Sequence, residues 1–180
     1  MNQTSNETKT SGSPFWRFSL QFYRRLGVAE ACITLQEESG VDVNLLLFLL
    51  WHATQKRRLA AAEIGALEQK IAAWREQTVV PLRAIRRALK APPALVEAGT
   101  AEAFRTRIKA VELEAERLQQ EAMYDLVRTG LLGAEAPSVA QAAQANVTAY
   151  EGICRAPFGE SAVAIVLAAV PQDDAHSTRR

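Results

Sequence analysis

The chain is poor in the residues that catalysis and metal binding use: 180 residues contain two histidines and two cysteines. A dinuclear metal site in a helical bundle needs two Glu-x-x-His elements and further carboxylates. Neither His52 nor His176 has a glutamate three residues before it, and paired Asp-rich boxes of the isoprenoid synthase kind are missing. No metal and no other cofactor is therefore expected. Cys32 and Cys154 sit among apolar neighbours at spacings that match no zinc or redox motif, so both read as buried thiols. The nine glycines form neither Gly-x-Gly-x-x-Gly nor a P-loop, which removes those routes to nucleotide binding.

Long apolar runs and charge of one sign are also lacking. No stretch approaches the ~20 apolar residues that span a bilayer, so no membrane span is expected. Lys+Arg and Asp+Glu number 21 and 20, and a net charge of +1 supplies no bulk field for nucleic acid or an acidic membrane. The opening residues 1–13 are polar and contain no apolar signal core, which points to the cytoplasm. Residues 1–13 and 171–180 read as disordered tails on a single helical domain over 14–170.

What is present is organised around Asp42 to His52, a short segment that is apolar on nearly every face behind a good N-cap, Asp42. A helix without a polar stripe has to be enclosed by protein. Before it, Ser13-Pro14 opens a helix that presents Phe15, Phe18 or Ser19, Phe22 and Leu26 on one face and stops at Gly27. A second helix from about Val28 to Glu38 turns Val28, Ala31, Cys32 and Leu35 inward. The tight connections predict a compact three-helix unit.

From Ala61 a long amphipathic pattern places Ile64, Leu67, Ile71, Trp74, Thr78, Pro81 or Leu82, Ile85 and Leu89 at intervals of three and four. At Pro81 either a kink or a junction of two helices at Val79-Val80 is expected, and the unbroken register favours the kink. After Pro92-Pro93, Thr100 is the expected cap of a second long helix. Its seam of Phe104, Ile108, Val111, Ala115, Leu118 and Ala122 resembles the a and d positions of a coiled coil. These two arms predict an antiparallel helical hairpin. An alanine-rich helix after Pro137-Ser138 and a short segment from Glu160 to Val170, read as helix, complete an all-α fold of six or seven helices.

Three basic clusters, Arg24-Arg25, Lys56 to Arg58, and Arg83, Arg86, Arg87 with Lys90, fall at predicted helix C-termini, where cations offset the helix dipole. That placement explains them without nucleic acid, an unlikely partner, although three such ends on one face would make a basic patch. His52 closes the buried helix, where free carbonyls can accept its N–H and the dipole favours a protonated ring. Asp42 reads first as a cap, and Asn44 is tolerated in the first turn. The functional alternative makes Gln36, Asp42, Asn44 and His52 the polar mouth of an apolar pocket walled by Phe22 and by Trp51 or Trp16.

Several of these stretches together resemble a known family. Phe15-Trp16, Phe18-Ser19, Tyr23, Cys32, Leu35-Gln36 and Gly40-x-Asp42-Val43-Asn44-x-Leu46-Leu47-Phe48 carry the likeness, with Trp74, Val80-x-Leu82-Arg83 and Arg86-Arg87 further on. They are similar to a family of short, uncharacterised proteobacterial proteins known only as a domain of unknown function, over about Pro14 to Tyr150. The resemblance implies a small helical bacterial protein and brings no activity, ligand or catalytic residue. The expected function is a non-catalytic interaction or accessory module whose hairpin meets a protein partner or a second copy. The alternative is a small-molecule-binding protein or enzyme with a pocket beside Asp42 to His52.

Overall fold

A computed structural model describes residues 12–128, 130 and 132–172. The expected tails, and His176 with them, lie mostly outside the described residues. Eight α-helices run in chain order: α1 Pro14–Tyr23, α2 Val28–Ser39, α3 Val43–Thr54, α4 Ala61–Trp74, α5 Val80–Ala88, α6 Ala98–Val127, α7 Val139–Glu151 and α8 Glu160–Ala169. A π-helical turn, Arg75–Val79, joins α4 to α5, so the two make one arm and the fold has seven helical units among the described residues.

The expected centre is the centre. Leu45, Leu46, Phe48, Leu49, Leu50 and Ala53 of α3 are fully buried. The helix packs most extensively on α7 and also meets α1, α2 and α6. Burying each such side chain contributes roughly 1.5–3 kcal/mol, which makes this short helix the main apolar anchor. Asn146 of α7, itself fully buried, ties the end of α3 to the following loop. Its Nδ2 donates to the carbonyls of Leu49 and Arg57 at 2.9 and 3.1 Å, and its Oδ1 accepts from the Leu59 N–H at 2.7 Å.

That loop holds an element absent from the sequence reading, a two-residue antiparallel pair of β1 Arg57–Arg58 with β2 Ala134–Glu135. Of the basic cluster Lys56 to Arg58, Lys56 directly follows the C-cap of α3, its N–H bonding the Ala53 carbonyl at 2.9 Å, while Arg57 and Arg58 belong to β1. Arg57 donates to the carbonyls of Leu132 and Gly133. Gly133 has φ +76°, and a Cβ there would stand 2.4 Å from the Arg58 carbonyl oxygen, so only glycine fits.

The long hairpin forms, but its faces differ from the expected ones. Pro81 is accommodated by the π turn just before it, where the Val80 N–H bonds the Arg75 carbonyl. One such turn inserts an extra residue and rotates everything after it. The apolar register therefore does not run on across Pro81. Val79 becomes buried and Ile85 is 46% exposed, whereas Trp74, ahead of the turn, still reaches α6 through its Nε1, which donates to the Ala115 carbonyl at 3.0 Å.

On α6, Glu97 rather than Thr100 is the cap, accepting from the Gly99 and Thr100 N–H groups at 2.8 Å each. Of the expected seam only Ala115 is buried, and Phe104, Val111 and Leu118 are 43%, 51% and 45% exposed. The inward face of α6 is instead half polar: Glu112, Gln119 and Gln120 with Ala101, Ala115 and Met123. Apolar spacing alone misplaced this helix because partners on other elements satisfy its buried polar groups. Near the start of the chain, α1 ends at Tyr23 and leaves Leu26 wholly exposed. Cys154, expected to be buried, is only partly covered, while Cys32 is buried, and both thiols are free.

Candidate functional site

The polar centre begins at Asp42. Its Oδ1 accepts the Asn44 and Leu45 N–H groups at 2.8 and 3.2 Å, the cap expected from sequence. Its Oδ2 does more, accepting Gln119 Nε2 at 2.9 Å and Arg75 Nη1 at 3.2 Å. Arg75 also pairs with Glu68 at 2.6 Å. The backbone N–H of Asp42 donates to the Tyr150 hydroxyl at 2.9 Å. One carboxylate thus joins α3, the π turn and α6. Beside it, Gln120 donates from Nε2 to Asn44 Oδ1 at 2.7 Å, with both residues buried.

Asn44 and Gln120 stand in the lining of a cleft of about 620 Å³ between the three-helix unit and the hairpin. This is within the size range of small-molecule sites. Its apolar wall comes from α1, α2, α3 and α6, with Trp16, Leu20, Ile33, Val43, Leu47 and Leu113. Its charged wall is built by Arg83, whose guanidinium reaches three side chains on two elements, α2 and α6. Nη1 donates to Gln36 Oε1 at 2.6 Å, Nε to Glu112 Oε1 at 3.1 Å and Nη2 to Glu116 Oε1 at 2.7 Å. Arg86 adds a two-pronged bond to Glu112, and Arg87 pairs with Glu37 at 2.6 Å.

Burial would push the Glu112 carboxyl up, but the hydrogen bonds from Arg86 and Arg83 outweigh it and hold the group below its ordinary value. Glu116 goes the other way. Its burial dominates over Arg83 and raises it. Ser19 and Gln120 each keep a buried oxygen, Oγ and Oε1, without a hydrogen-bond partner. Such groups cost about 1–3 kcal/mol apiece.

The structure separates the sequence-predicted residues into three groups. Gln36 and Asn44 line the cleft. Asp42 lines a hollow of about 150 Å³, which Gln36, Asn44 and Arg83 also border. Trp51 and His52 line neither. Trp51 packs in the core against Phe15, Phe48 and Tyr124, with ring centroids 5.6, 5.9 and 5.7 Å away. Trp16, not Trp51, is therefore the aromatic wall, and Phe22 belongs to the core.

His52 Nδ1 lies 3.1 Å from the Phe48 carbonyl oxygen, so the ring is satisfied within its own helix. The dipole does not keep it protonated. Burial pulls its pKa down to about 4, against the opposing pull of that bond.

Sequence reasoning saw Arg83, Arg86, Arg87 and Lys90 first as dipole partners and otherwise as part of a basic patch, and it missed Ser19, Glu112, Glu116 and Gln120 as site residues. The signal that points to them is a charge match between arms: arginines at 83 and 86 face glutamates at 112 and 116 once the arms run antiparallel. Two of the three basic clusters contribute to the cleft, through Arg24 and through Arg83 to Lys90, whereas Lys56 to Arg58 contributes nothing.

The lining includes neither histidine nor cysteine among the described residues. Its polar groups are carboxylates, guanidiniums, amines, amides and hydroxyls, which can donate to, accept from or pair with a bound group. Among the described residues no helix is long and apolar enough to cross a membrane.

A family model described as a protein of unknown function, DUF2390, matches residues 14–123, stopping short of the Tyr150 expected from the resemblance. The match takes in α1 to α5 and most of α6, and so every element that lines the cleft. No curated protein and no solved structure matches the chain.

Proposed function

For this chain, which belongs to the DUF2390 family of proteins of unknown function, we propose the binding of a small molecule in the cleft between the three-helix unit and the hairpin, without catalysis. The observation that carries this reading is a cleft of about 620 Å³ in which Gln36 Oε1 and Asn44 Oδ1 accept from other lining side chains. A cap or a structural ion pair requires no such concavity. We also propose a bacterial cytoplasmic location, a reducing compartment that suits the free thiols of Cys32 and Cys154.

Thermal-shift screening of a metabolite library tests it, run on the wild type and on Leu113→Trp, which puts bulk at the half-exposed edge of the cleft. The proposal expects at least one compound to raise the wild-type Tm and to lose that effect in Leu113→Trp. A shift of equal size in the filled variant would place binding elsewhere.

A second reading, the interaction module, has one observation of its own. Phe104 and Leu118 stand one heptad either side of the exposed Val111, so two copies could lay α6 against α6 antiparallel about Val111. Sedimentation at rising concentration would show a dimer that Val111→Glu abolishes. A monomer throughout would end this reading.

A further inference from the structure

The charge balance of the cleft identifies the kind of molecule it takes. Its carboxylates, Glu37, Glu112 and Glu116, are each matched by an arginine of the same wall. Arg24, Lys90 and Lys109 complete the charged lining, and no side-chain hydrogen bond or ion pair occupies them among the described residues. Three cations are thus left over at the exposed mouth, one each from the end of α1, the end of the α4–α5 arm and the middle of α6.

Their convergence needs a reason. Lys90 follows the last turn of α5 and is accounted for by the dipole, but Lys109 lies mid-helix, where no dipole end favours it. Three unneutralised cations around one opening repel one another and make a positive potential that attracts anions. Below them the wall is apolar and aromatic, with Trp16 and Tyr23 on α1 and leucines from three helices.

Resting on the small-molecule reading, we propose that the ligand is an organic phosphate: one or two phosphate groups at the mouth, carried on an apolar or aromatic body that fills the interior. A phosphate monoester brings about −1.5 to −2 charges in a compact group, so one or two of them answer three cations and leave most of the volume for the body. A tricarboxylate of equal charge spreads polar groups over the whole molecule and leaves the apolar wall without a partner. A hydroxyl or N–H on the body would meet the oxygens of Ser19 and Gln120, after a small rotation of either side chain.

Titration calorimetry on the full chain, at low ionic strength and without divalent metal, tests the proposal with three sets of probes. These are ADP and farnesyl diphosphate as phosphate esters, adenosine and farnesol as bodies alone, and pyrophosphate and citrate as anions alone. The expected result is that ADP or farnesyl diphosphate binds at least ten-fold tighter than pyrophosphate, citrate and its own uncharged counterpart. Lys90→Glu with Lys109→Glu, both exposed positions, should weaken that probe ten-fold or more while the Tm of the free protein holds.

Citrate binding as tightly as either ester, or an ester affinity unchanged in the double variant, overturns the proposal. Adenosine or farnesol binding as tightly as its ester overturns it too, yet leaves the small-molecule reading standing. Silence from all six probes overturns the organic phosphate and returns the cleft to the metabolite screen with Leu113→Trp, which decides the broader reading by itself.

Discussion

Gln120 of α6 and Asn44 in the first turn of α3 are joined side chain to side chain, Nε2 to Oδ1 at 2.7 Å, with both residues buried. The bond fastens the long arm to the apolar helix, and both residues line the cleft. Gln120→Leu leaves Asn44 Oδ1 buried without its donor and should cost about 1–3 kcal/mol. Asn44→Leu with Gln120→Leu should cost less than the sum of the two single changes, because the second removes a group that the first has already orphaned. Chemical denaturation of the four proteins in a double-mutant cycle measures the difference. Strict additivity would mean that the bond contributes nothing.

Asp42 is expected to be the most sensitive polar residue. Asp42→Ala removes the α3 cap, the partner of Arg75 and the acceptor for Gln119 at once. Loss of a cap alone costs about 0.5–2 kcal/mol, and breaking a buried pair about 3–5 kcal/mol. Arg75 keeps Glu68 and some access to water, so a loss of about 3 kcal/mol is expected by urea unfolding. A loss below about 1 kcal/mol would reduce Asp42 to a simple cap.

His52 should make the protein acid-sensitive. Its pKa falls from an ordinary 6.5 to about 4 because burial disfavours the imidazolium. Between those two values the unfolded chain binds the proton and the folded one does not. The stability is therefore whole above pH 6.5 and is lost as the pH falls toward 4, by roughly 3 kcal/mol at 1.36 kcal/mol per unit. The slope of unfolding free energy against pH in this window should shrink in His52→Gln. An unchanged slope would assign the acid sensitivity to other groups.

Leu46 and Leu49 are fully buried on α3. Replacement of either by alanine should cost about 2–5 kcal/mol, read as a drop in denaturation midpoint. Near-wild-type midpoints in both variants would contradict a core centred on this helix.

The parts of the fold that the sequence made legible are those set by local rules. Asp42 followed by an unbroken apolar run demanded a capped and buried helix, and Ser13-Pro14 and Ser138 marked helix starts that the structure keeps. The hairpin pairing was legible too, but its faces were not. A π turn has no composition signal, and this one rotates Val79, Arg83 and Arg86 toward α6 where apolar counting put Thr78 and Ile85.

The polar inward face of α6 was hidden for a related reason. Glu112, Gln119 and Gln120 look like surface residues until Arg83, Asp42 and Asn44 are placed opposite them. Half of the site was visible as a result: Gln36, Asp42 and Asn44 were found beside the apolar helix, and their partners on the far arm were not. His52 and Trp51 were drawn in by their nearness along the chain, although a helix turns successive residues to different faces.

The most direct test of the cleft as a binding site is nuclear magnetic resonance of the amide groups while the best compound from the thermal-shift screen is titrated in. The side-chain amides of Gln36, Asn44 and Gln120 and the backbone amide of Ser19 are predicted to shift together and to saturate at one concentration, with Val111 and Leu118 on the outer stripe unmoved. Shifts confined to Phe104, Val111 and Leu118, with the cleft amides silent, would contradict the account.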